Sequence, residues 1–261
     1  MFARKNAAES STSPEKKREA ISEFILYIAG VFVSTLFIIT FVLQSFVIPS
    51  GSMENTLLIG DYLFVDRITP TRKAGYVGPL VPYREIKRGD IIVFVHPDPL
   101  EKGIYVVKRV IGIPGDKIRL RNGVVYRNGE ALSEPYVLHK RGNYVTYRDE
   151  FPKYPPPGIP GVPSWWPVLK SANTQGDDLV IPEGDYFGMG DNREESLDSR
   201  YWGFIPRENI IGRPMLVYWS FKRAGAEIQR TVRGEPTASG VHAIAHFFDE
   251  IRWRRMFHIL Q

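Results

Sequence analysis

The sequence predicts a mainly β protein with one N-terminal transmembrane helix, followed by an antiparallel β-rich domain that carries an inserted β subdomain. Three observations support this fold class. An uncharged, apolar run extends from Phe24 to Met53. Beyond it, runs such as "DYLFVDRI", "DIIVFVHP" and "MLVYWSF" are rich in β-branched and aromatic residues and are flanked by turn residues, as strands are. The stretch "RLRNGVVYRNGEAL" contains two Asn-Gly pairs, which are the strongest local signal of β-hairpins.

The uncharged run predicts a transmembrane helix over residues 24–47. About 20 apolar residues at ~1.5 Å per residue cross a hydrocarbon core of ~30 Å. The helix is expected to end before Pro49, because a proline disfavours helical backbone at the residue before it. A cleavable signal peptide has an apolar region of only about 7–15 residues, so this run is interpreted as an uncleaved signal anchor.

The basic residues around the span predict its orientation. Five of them precede it, whereas the first basic residue after it is Arg67; the five are Arg4, Lys5, Lys16, Lys17 and Arg18. An excess of Lys and Arg marks the cytoplasmic side, although four glutamates in the same tail moderate the bias. Residues 1–23 are therefore expected to be a cytoplasmic tail. No later stretch approaches 18 apolar residues, so the chain is expected to cross the membrane once.

The remaining chain divides by composition. Residues 48–114 and 181–221 are expected to form one β domain, and residues 115–180 an inserted β subdomain. The segment 151–167 contains seven prolines and cannot continue a sheet. Residues 222–261 form a C-terminal extension in which an amphipathic helix is predicted, and both a docked surface helix and a helix lying on the membrane surface remain open.

Composition excludes several function classes. The chain has no Cys, which rules out disulfides, thiolate metal sites and a cysteine nucleophile. The net charge of +5 is spread among acidic residues rather than concentrated in a stripe, which argues against a nucleic-acid partner and favours a lipid surface. His242 and His246 are four residues apart, but no other ligand pair accompanies them, so surface histidines are favoured over a metal site.

Two serines directly follow the span, in the sequence Pro49-Ser50-Gly51-Ser52. This composition is typical of a turn that ends a helix. A serine hydroxyl is a weak nucleophile unless a base is positioned beside it. No G-x-S-x-G motif is present to pair with a histidine, so the turn interpretation is favoured from this stretch alone.

Most lysines of the chain neighbour charged residues and are expected to be solvated, but Lys108 is an exception. In "IYVVKRVIG", strand alternation places Val106 and Val110 on the same face as Lys108. An amine buried between valines is desolvated, which lowers its pKa and allows it to act as a base. An edge-strand lysine that extends its amine to solvent is the alternative.

The stretch "GMGDNREESLDSRYWGFIP", residues 188–206, is the third candidate. By itself it is also consistent with a charged loop that contains Asx turns. Its single G-x-G is not a phosphate-binding loop, because neither the remaining glycines of such a motif nor a P-loop lysine follows at the required spacing.

Four stretches together resemble, in order, the conserved boxes of type I signal peptidases: "PSGSMENTLLIGDYLFVDR", "GDIIVF", "YVVKRVIGIPGD" and "GDNREESLDSRYWGFIP". The resemblance implies a serine endopeptidase that uses a Ser-Lys dyad to remove signal peptides after small residues at positions −1 and −3. It also implies the bacterial inner membrane as the location, with a periplasmic catalytic domain, and no cofactor or metal. The implied partners are precursor proteins, the lipid bilayer and the secretion translocase, without nucleic acid.

The resemblance also implies roles for individual residues. Ser52 corresponds to the nucleophile, Lys108 to the general base and Ser50 to a hydroxyl of the oxyanion hole. Ser196 corresponds to the serine that hydrogen-bonds the lysine amine. The remaining implied residues are the supporting groups Asp198, Arg200, Asp191 and Arg109 and the apolar substrate contacts Ile48, Pro49, Leu57, Val106 and Val107.

Four positions depart from the family pattern, and we expect them to affect substrate preference rather than chemistry. Asn55 stands where Pro is common, which predicts a less rigid turn after the nucleophile. Val106 stands where Tyr is common, and Glu195 and Leu197 stand where Asn and Ala are usual. Two alternatives to the peptidase are a self-cleaving LexA-like repressor and a catalytically silent, membrane-anchored binding protein. The transmembrane run and the absence of a DNA-binding helix pair argue against the first, and the complete set of candidate residues argues against the second.

Overall fold

The computed structural model describes residues 14–38, 43–67, 84–98, 101, 103–139, 143–154, 172–222 and 248–260. The chain divides into two compact units, residues 1–42 and 43–261. The first contains helix α1, Pro14–Phe37, and the second contains the β-strands.

Helix α1 is, within the described ranges, the one helix long and apolar enough to cross a membrane, over Arg18–Phe37. The predicted C-terminal boundary of the helix at residue 47 is wrong. Residues Leu43–Val47 form a strand instead, because they pair in antiparallel register with residues 62–66. The helix also begins earlier than predicted, within the charged tail.

The second unit is mainly β, as predicted, and its strands pair in antiparallel order within two sheets. In chain order the strands are β1 Leu43–Val47, β2 Asp61–Asp66, β3 Ile91–Val95, β4 Tyr105–Gly112, β5 Lys117–Arg121, β6 Val124–Arg127, β7 Glu130–Ala131, β8 Thr174–Gln175, β9 Asp178–Val180, β10 Asp185–Met189, β11 Ile205–Pro206, β12 Ile210–Ser220 and β13 His258–Ile259. Two short helices, α2 Thr146–Asp149 and α3 Ser199–Trp202, complete the regular structure, with 3-10 turns at Gly51–Met53, Arg207–Asn209 and Trp253–Arg255.

The larger sheet has the order β1-β2-β12-β3-β4-β10-β11, with β13 also paired to β12. It curls so strongly that Phe46 on β1 reaches Tyr105 on β4, with ring centroids 5.1 Å apart. Apolar clusters therefore form on both faces of β4. One contains Ile48, Met53 and Leu57, and the other contains Ile92, Val110 and Trp202.

The smaller sheet has the order β7-β6-β5-β9-β8 and lies within residues 117–180, inside the range predicted for the inserted subdomain. Both predicted Asn-Gly turns are confirmed. Asn122 and Asn128 have φ values of 51° and 54°, and the glycines that follow them also have positive φ, as type I′ turns require. The prediction for the proline-rich segment lies outside the described residues from residue 155 to its end at 167.

The predicted C-terminal amphipathic helix is wrong where the structure describes the extension, at residues 248–260. This segment contains the 3-10 turn Trp253–Arg255 and strand β13, which pairs with β12. Arg255 forms an ion pair with Asp61 at 2.6 Å and donates to the Thr56 carbonyl at 2.9 Å. Contacts to distant parts of the chain thus hold the segment extended. Residues 223–247, including His242 and His246, lie outside the described residues.

Candidate active site

Ser52 lies in the 3-10 turn Gly51–Met53, which follows β1 and Pro49. The turn is closed by a hydrogen bond from the Glu54 backbone N–H to the Gly51 carbonyl at 3.0 Å. Asn192 fixes it from outside, because its backbone N–H donates to the Ser52 carbonyl at 3.1 Å and its Nδ2 donates to the Gly51 carbonyl at 3.1 Å. The serine is thereby held in one backbone position.

Lys108 lies on β4 and is only 3% exposed. Val106 and Val110 belong to the apolar cluster on its face, and Ile92 stands opposite it on β3. Gly188 leaves room for it, since a Cβ at that position would lie 3.2 Å from the Lys108 Cβ. The alternative of a solvent-extended lysine is excluded by this burial.

The structure brings Lys108 and Ser52 together from positions 56 residues apart in sequence. Lys108 Nζ donates a hydrogen bond to Ser52 Oγ at 2.7 Å. Burial lowers the pKa of Lys108 from 10.5 to about 8, an effect that Asp198 opposes and Arg200 strengthens. A large fraction of the amine is therefore neutral near pH 8, and a neutral amine in this position can accept the serine proton.

Ser50 lies beside the nucleophile candidate, with its Oγ 3.5 Å from Ser52 Oγ. An oxyanion hole needs donors that point at the oxygen on which negative charge develops. Ser50 directly precedes the turn that carries Ser52, so its hydroxyl and the Ser52 backbone N–H are two donors close to the nucleophile candidate.

Ser196 is buried, but it does not make the bond to Lys108 that the resemblance implies. Its Oγ has no hydrogen-bond partner among the described residues. It packs against Gly190, where a Cβ would overlap both Ser196 Oγ and the Ser52 carbonyl oxygen. The expected orienting hydrogen bond is therefore absent in this structure, although Ser196 lies beside the Ser52 backbone.

Asp198 and Arg200 form a buried ion pair with contacts of 2.8 and 2.9 Å. Burial alone would raise the pKa of Asp198, but the guanidinium of Arg200 and the Gly190 N–H hold it below the ordinary value. Asp198 also caps helix α3 by accepting from the Arg200 N–H. The pair thereby ties α3 to the end of β10 and places a negative charge near Lys108.

Arg109 and Asp191 form a second buried pair, with contacts of 2.8 and 2.7 Å. Thr56 joins them by donating its hydroxyl to Asp191 Oδ2 at 2.5 Å. Arg109 also donates to the Gly89 carbonyl at 2.9 Å. This pair connects the residue next to Lys108 with the chain segment that follows Ser52.

The five candidate substrate contacts differ in exposure. Pro49 is exposed, and Val106 and Val107 are half-buried on opposite faces of β4. Ile48 is buried, and Leu57 is fully buried at 0%, in the cluster against which Val107 packs. Leu57 therefore supports an apolar surface from beneath and has no area of its own to offer a substrate.

The departure at Asn55 has a structural explanation. Asn55 has a φ of 93°, a conformation that the ring of proline excludes. Its Nδ2 donates to the Tyr136 carbonyl at 3.0 Å. The turn after Ser52 is thus held by a contact to the inserted subdomain, contrary to the less rigid turn that we expected from the loss of proline.

Sequence reasoning missed several residues that hold the site together: Thr56, Tyr136, Gly190 and Asn192. Asn192 stands in a stretch that the sequence singled out, but its contacts are to backbone groups 140 residues away and no local pattern reveals them. Within the described ranges, no three His, Asp or Glu side chains cluster so as to hold a metal ion.

Several known proteins are similar to this chain over most of its length. A family model described as signal peptidase, peptidase S26, matches residues 21–219. A probable signal peptidase I-2 from Synechocystis sp. is 33% identical over 189 residues, which cover 71% of this chain and 67% of that protein. Signal peptidase I from Aquifex aeolicus is 33% identical and covers 78% of this chain and 85% of its own length. Signal peptidase I from Bacillus licheniformis is 32% identical and covers 85% of this chain and 98% of its own length.

Proposed function

The chain belongs to the peptidase S26 family of signal peptidases, and we propose that it cleaves signal peptides with a Ser52–Lys108 dyad. The observation that carries this proposal is the hydrogen bond of 2.7 Å between Lys108 Nζ and Ser52 Oγ. The burial that lowers the pKa of Lys108 to about 8 supports the role of a base. The proposed substrates are precursor proteins that bind with the end of their signal peptide beside this dyad.

The reaction follows from the positions of these groups. Neutral Lys108 accepts the proton of Ser52 Oγ as the oxygen attacks the scissile carbonyl carbon. The Ser52 N–H and the Ser50 hydroxyl stabilise the oxyanion of the tetrahedral intermediate. The Lys108 ammonium then protonates the leaving amine, which departs as the N-terminus of the mature protein. Finally, Lys108 deprotonates a water that hydrolyses the ester on Ser52 and restores the enzyme.

Small residues at positions −1 and −3 of the substrate fit the apolar surface beside the dyad. Pro49, Val106 and Val107 provide its accessible part, and Ile48 and Leu57 fill the space beneath. A shallow apolar surface accepts Ala and leaves no room for a large side chain near the scissile bond. The same apolar residues exclude water from Lys108, so specificity and base strength share one cause.

We further propose that α1 anchors the enzyme in the bacterial inner membrane as a single pass, with residues 1–23 in the cytoplasm and the β unit in the periplasm. The length and apolar composition of α1 support the span, and the basic tail before it supports the orientation. Anchoring confines enzyme and membrane-bound precursor to one surface and raises their effective concentration. The lipid bilayer is then a permanent partner and the secretion translocase a neighbour that delivers substrate.

The test is cleavage by the detergent-solubilised full chain of a precursor whose signal ends in Ala-x-Ala. We expect Ser52→Ala and Lys108→Ala each to lower the rate by about 10³-fold or more, as loss of a nucleophile or base does in serine peptidases. Lys117→Ala, at an exposed lysine on β5, is the matched control and should retain activity. Cleavage that persists in either dyad variant would overturn the proposal. Replacing the −1 Ala by Leu should abolish cleavage by the unaltered enzyme.

A further inference from the structure

The segment Glu134–Leu138, which follows β7 in the inserted subdomain, contacts the chain on both sides of the dyad. Asn55, three residues after Ser52, donates its Nδ2 to the Tyr136 carbonyl at 3.0 Å. The Leu138 N–H donates to the Asp191 carbonyl at 2.9 Å, and Leu138 forms a parallel bridge with Asn192. Asn192 is the residue whose N–H holds the Ser52 carbonyl. The segment thus binds the nucleophile turn both directly and through Asn192.

The side chain of Tyr136 reaches the strand that carries the base. The guanidinium of Arg109 lies over the Tyr136 ring, 4.0 Å from its centroid, an arrangement favourable for a cation–π contact. Arg109 follows Lys108 in sequence. One face of its guanidinium lies on the Tyr136 ring, and its N–H groups pair with Asp191. Tyr136 and Asp191 together fix the guanidinium, and with it the backbone of β4 next to Lys108.

The Tyr136 hydroxyl continues this network to the loop after β10. It donates to Glu134 Oε1 at 2.9 Å, and Glu134 forms a two-contact ion pair with Arg193 at 2.7 and 2.8 Å. Burial and the neighbouring Glu134 carboxylate raise the pKa of Tyr136, so the hydroxyl remains a donor throughout the working pH range. Arg193 Nε in turn donates to the Gly190 carbonyl at 3.0 Å.

The segment contacts three regions that are far apart in sequence. Proton transfer requires that Ser52 and Lys108, in two of these regions, be placed relative to each other to within a fraction of an ångström. Ser52, Lys108 and Gly190 lie on the 3-10 turn, on β4 and just after β10. The five residues 134–138 bond to the neighbours of all three. Because this one short segment contacts residues in or beside the 3-10 turn, β4 and the loop after β10, it fixes the distance between Ser52 and Lys108.

We propose that Tyr136 is a positioning residue for the dyad: it holds Arg109 on β4 and, through its carbonyl and hydroxyl, Asn55 and the Gly190 loop. This inference rests on the proposed function, because it concerns the geometry of the Ser52–Lys108 pair. The inserted subdomain is thereby a part of the catalytic apparatus, through a residue that does not contact the substrate. Loosening the segment shifts Ser52 relative to Lys108 and admits water to the amine.

The experiment compares Tyr136→Ala with Tyr126→Ala in the detergent-solubilised full chain, with the Ala-x-Ala precursor as substrate. Tyr126 is a matched control, since it is also a half-buried tyrosine of the inserted subdomain and carries an arginine, Arg119, 5.3 Å from its ring centroid. We expect Tyr136→Ala to lower kcat by about 10-fold or more, because small displacements of reacting groups have effects of that size. KM should change by less than about 2-fold, since the apolar substrate surface is untouched.

The pH profile distinguishes positioning from general support of the fold. In the unaltered enzyme kcat should rise with pH around pH 8. In Tyr136→Ala this rise should occur at a higher pH, closer to 10.5, the pKa of a hydrated lysine. Tyr136→Phe keeps the ring under Arg109 but loses the bond to Glu134, so its kcat should lie between that of Tyr136→Ala and that of the unaltered enzyme. If Tyr136→Ala matches Tyr126→Ala in kcat and in the position of the limb, and differs only in melting temperature, the proposal is overturned.

Asn55→Gly provides a second route if Tyr136→Ala does not fold. Glycine tolerates the φ of 93° and removes only the bond to the Tyr136 carbonyl. We expect a several-fold lower kcat at unchanged KM, and an unchanged kcat would contradict the proposal. Lys108→Ala in the same assay separates the two hypotheses. Activity in Lys108→Ala overturns the dyad itself, whereas an inactive Lys108→Ala beside a fully active Tyr136→Ala overturns only the role of Tyr136.

Discussion

The amine of Lys108 is buried among aliphatic side chains and bonded to the hydroxyl of Ser52, so its chemistry follows from desolvation. A charged amine loses its hydration there, which destabilises the charged form. The nearby Asp198 carboxylate offsets only part of this loss, because it is itself paired with Arg200. The pKa of Lys108 is therefore about 8, so its neutral and its charged form are both populated near that pH. The single residue thereby becomes a base at the expense of folding stability.

That cost of burial is a testable property of Lys108. The pKa is about 8 in the folded protein and 10.5 for the ordinary group, so the unfolded chain binds more protons between these values. The contribution of Lys108 to the free energy of unfolding therefore becomes more favourable as pH rises from about 8 to about 10.5. Its destabilising effect is fully present below pH 8. We expect Lys108→Met to raise the free energy of unfolding at pH 7 by on the order of 2–3 kcal/mol, with little difference at pH 10.5. Denaturant unfolding at both pH values measures this, and a variant that is less stable at both would contradict it.

Gly190 is required for space rather than for backbone freedom. A Cβ there would overlap the Ser52 carbonyl oxygen and Ser196 Oγ. We expect Gly190→Ala to displace the nucleophile and lower kcat by about 100-fold, because catalysis is sensitive to such shifts. Gly30→Ala, where an added Cβ meets nothing within 4 Å, is the control and should leave kcat unchanged. Equal kcat values for the two variants would show that the Ser52 backbone tolerates the methyl group.

At the scale of elements, local patterns predicted most strands and turns but misjudged two segments. The Asn-Gly hairpins and the alternating strand around Lys108 were predicted because their signals are local. Residues 43–47 were predicted as helix, since a short apolar run fits a helix end or a strand equally well and only its pairing with β2 decides. The C-terminal extension was misjudged for the same reason, because its conformation depends on Asp61, nearly 200 residues away in sequence.

The candidate site shows the same division. Ser52 and Lys108 were predicted because the stretches around them resemble the boxes of type I signal peptidases. The turn and the alternating strand alone left a structural turn and a solvent-extended lysine open. The supports Asn192, Thr56 and Tyr136 were not predicted, since they act through contacts to groups that are distant in sequence. The missing bond between Ser196 and Lys108 was equally unpredictable, because it depends on the exact approach of the loop after β10 to β4.

The C-terminal segment should stabilise the turn region after Ser52. Asp61 is fully buried and accepts from Arg255, Ser220 and the Leu58 N–H. We expect Arg255→Ala to lower the free energy of unfolding by about 1–3 kcal/mol, because it removes the nearer cation of the buried Asp61 carboxylate and leaves only Arg252, 4.0 Å away. Arg254→Ala, at the exposed neighbouring arginine, should change stability by less than about 0.5 kcal/mol. Equal stabilities of the two variants, measured by denaturant unfolding, would contradict this role.

At the scale of the whole molecule, the chain combines an apolar helix and a β unit that are separately compact. The β unit contains both members of the proposed dyad and all the supports described for them. Catalysis should therefore belong to residues 43–261, and access to membrane-bound substrate should depend on residues 1–42.

Removal of residues 1–42 tests this division. We expect the shortened chain to cleave a soluble Ala-x-Ala peptide at a rate within about 3-fold of the full chain. Cleavage of a precursor inserted in lipid vesicles should be slower by about 100-fold, because co-localisation on one surface is lost. Comparable rates on the vesicle-bound precursor would show that the helix does not contribute to substrate capture.

The central claim is that a buried, neutral Lys108 deprotonates Ser52, and the pH dependence of kcat/KM tests it most directly. A protonated amine cannot accept the serine proton, so activity should rise as pH increases through the pKa of Lys108 in the free enzyme. We expect a limb near pH 8, followed by a plateau at higher pH. A limb near 10.5, the ordinary value for lysine, would contradict the desolvated base.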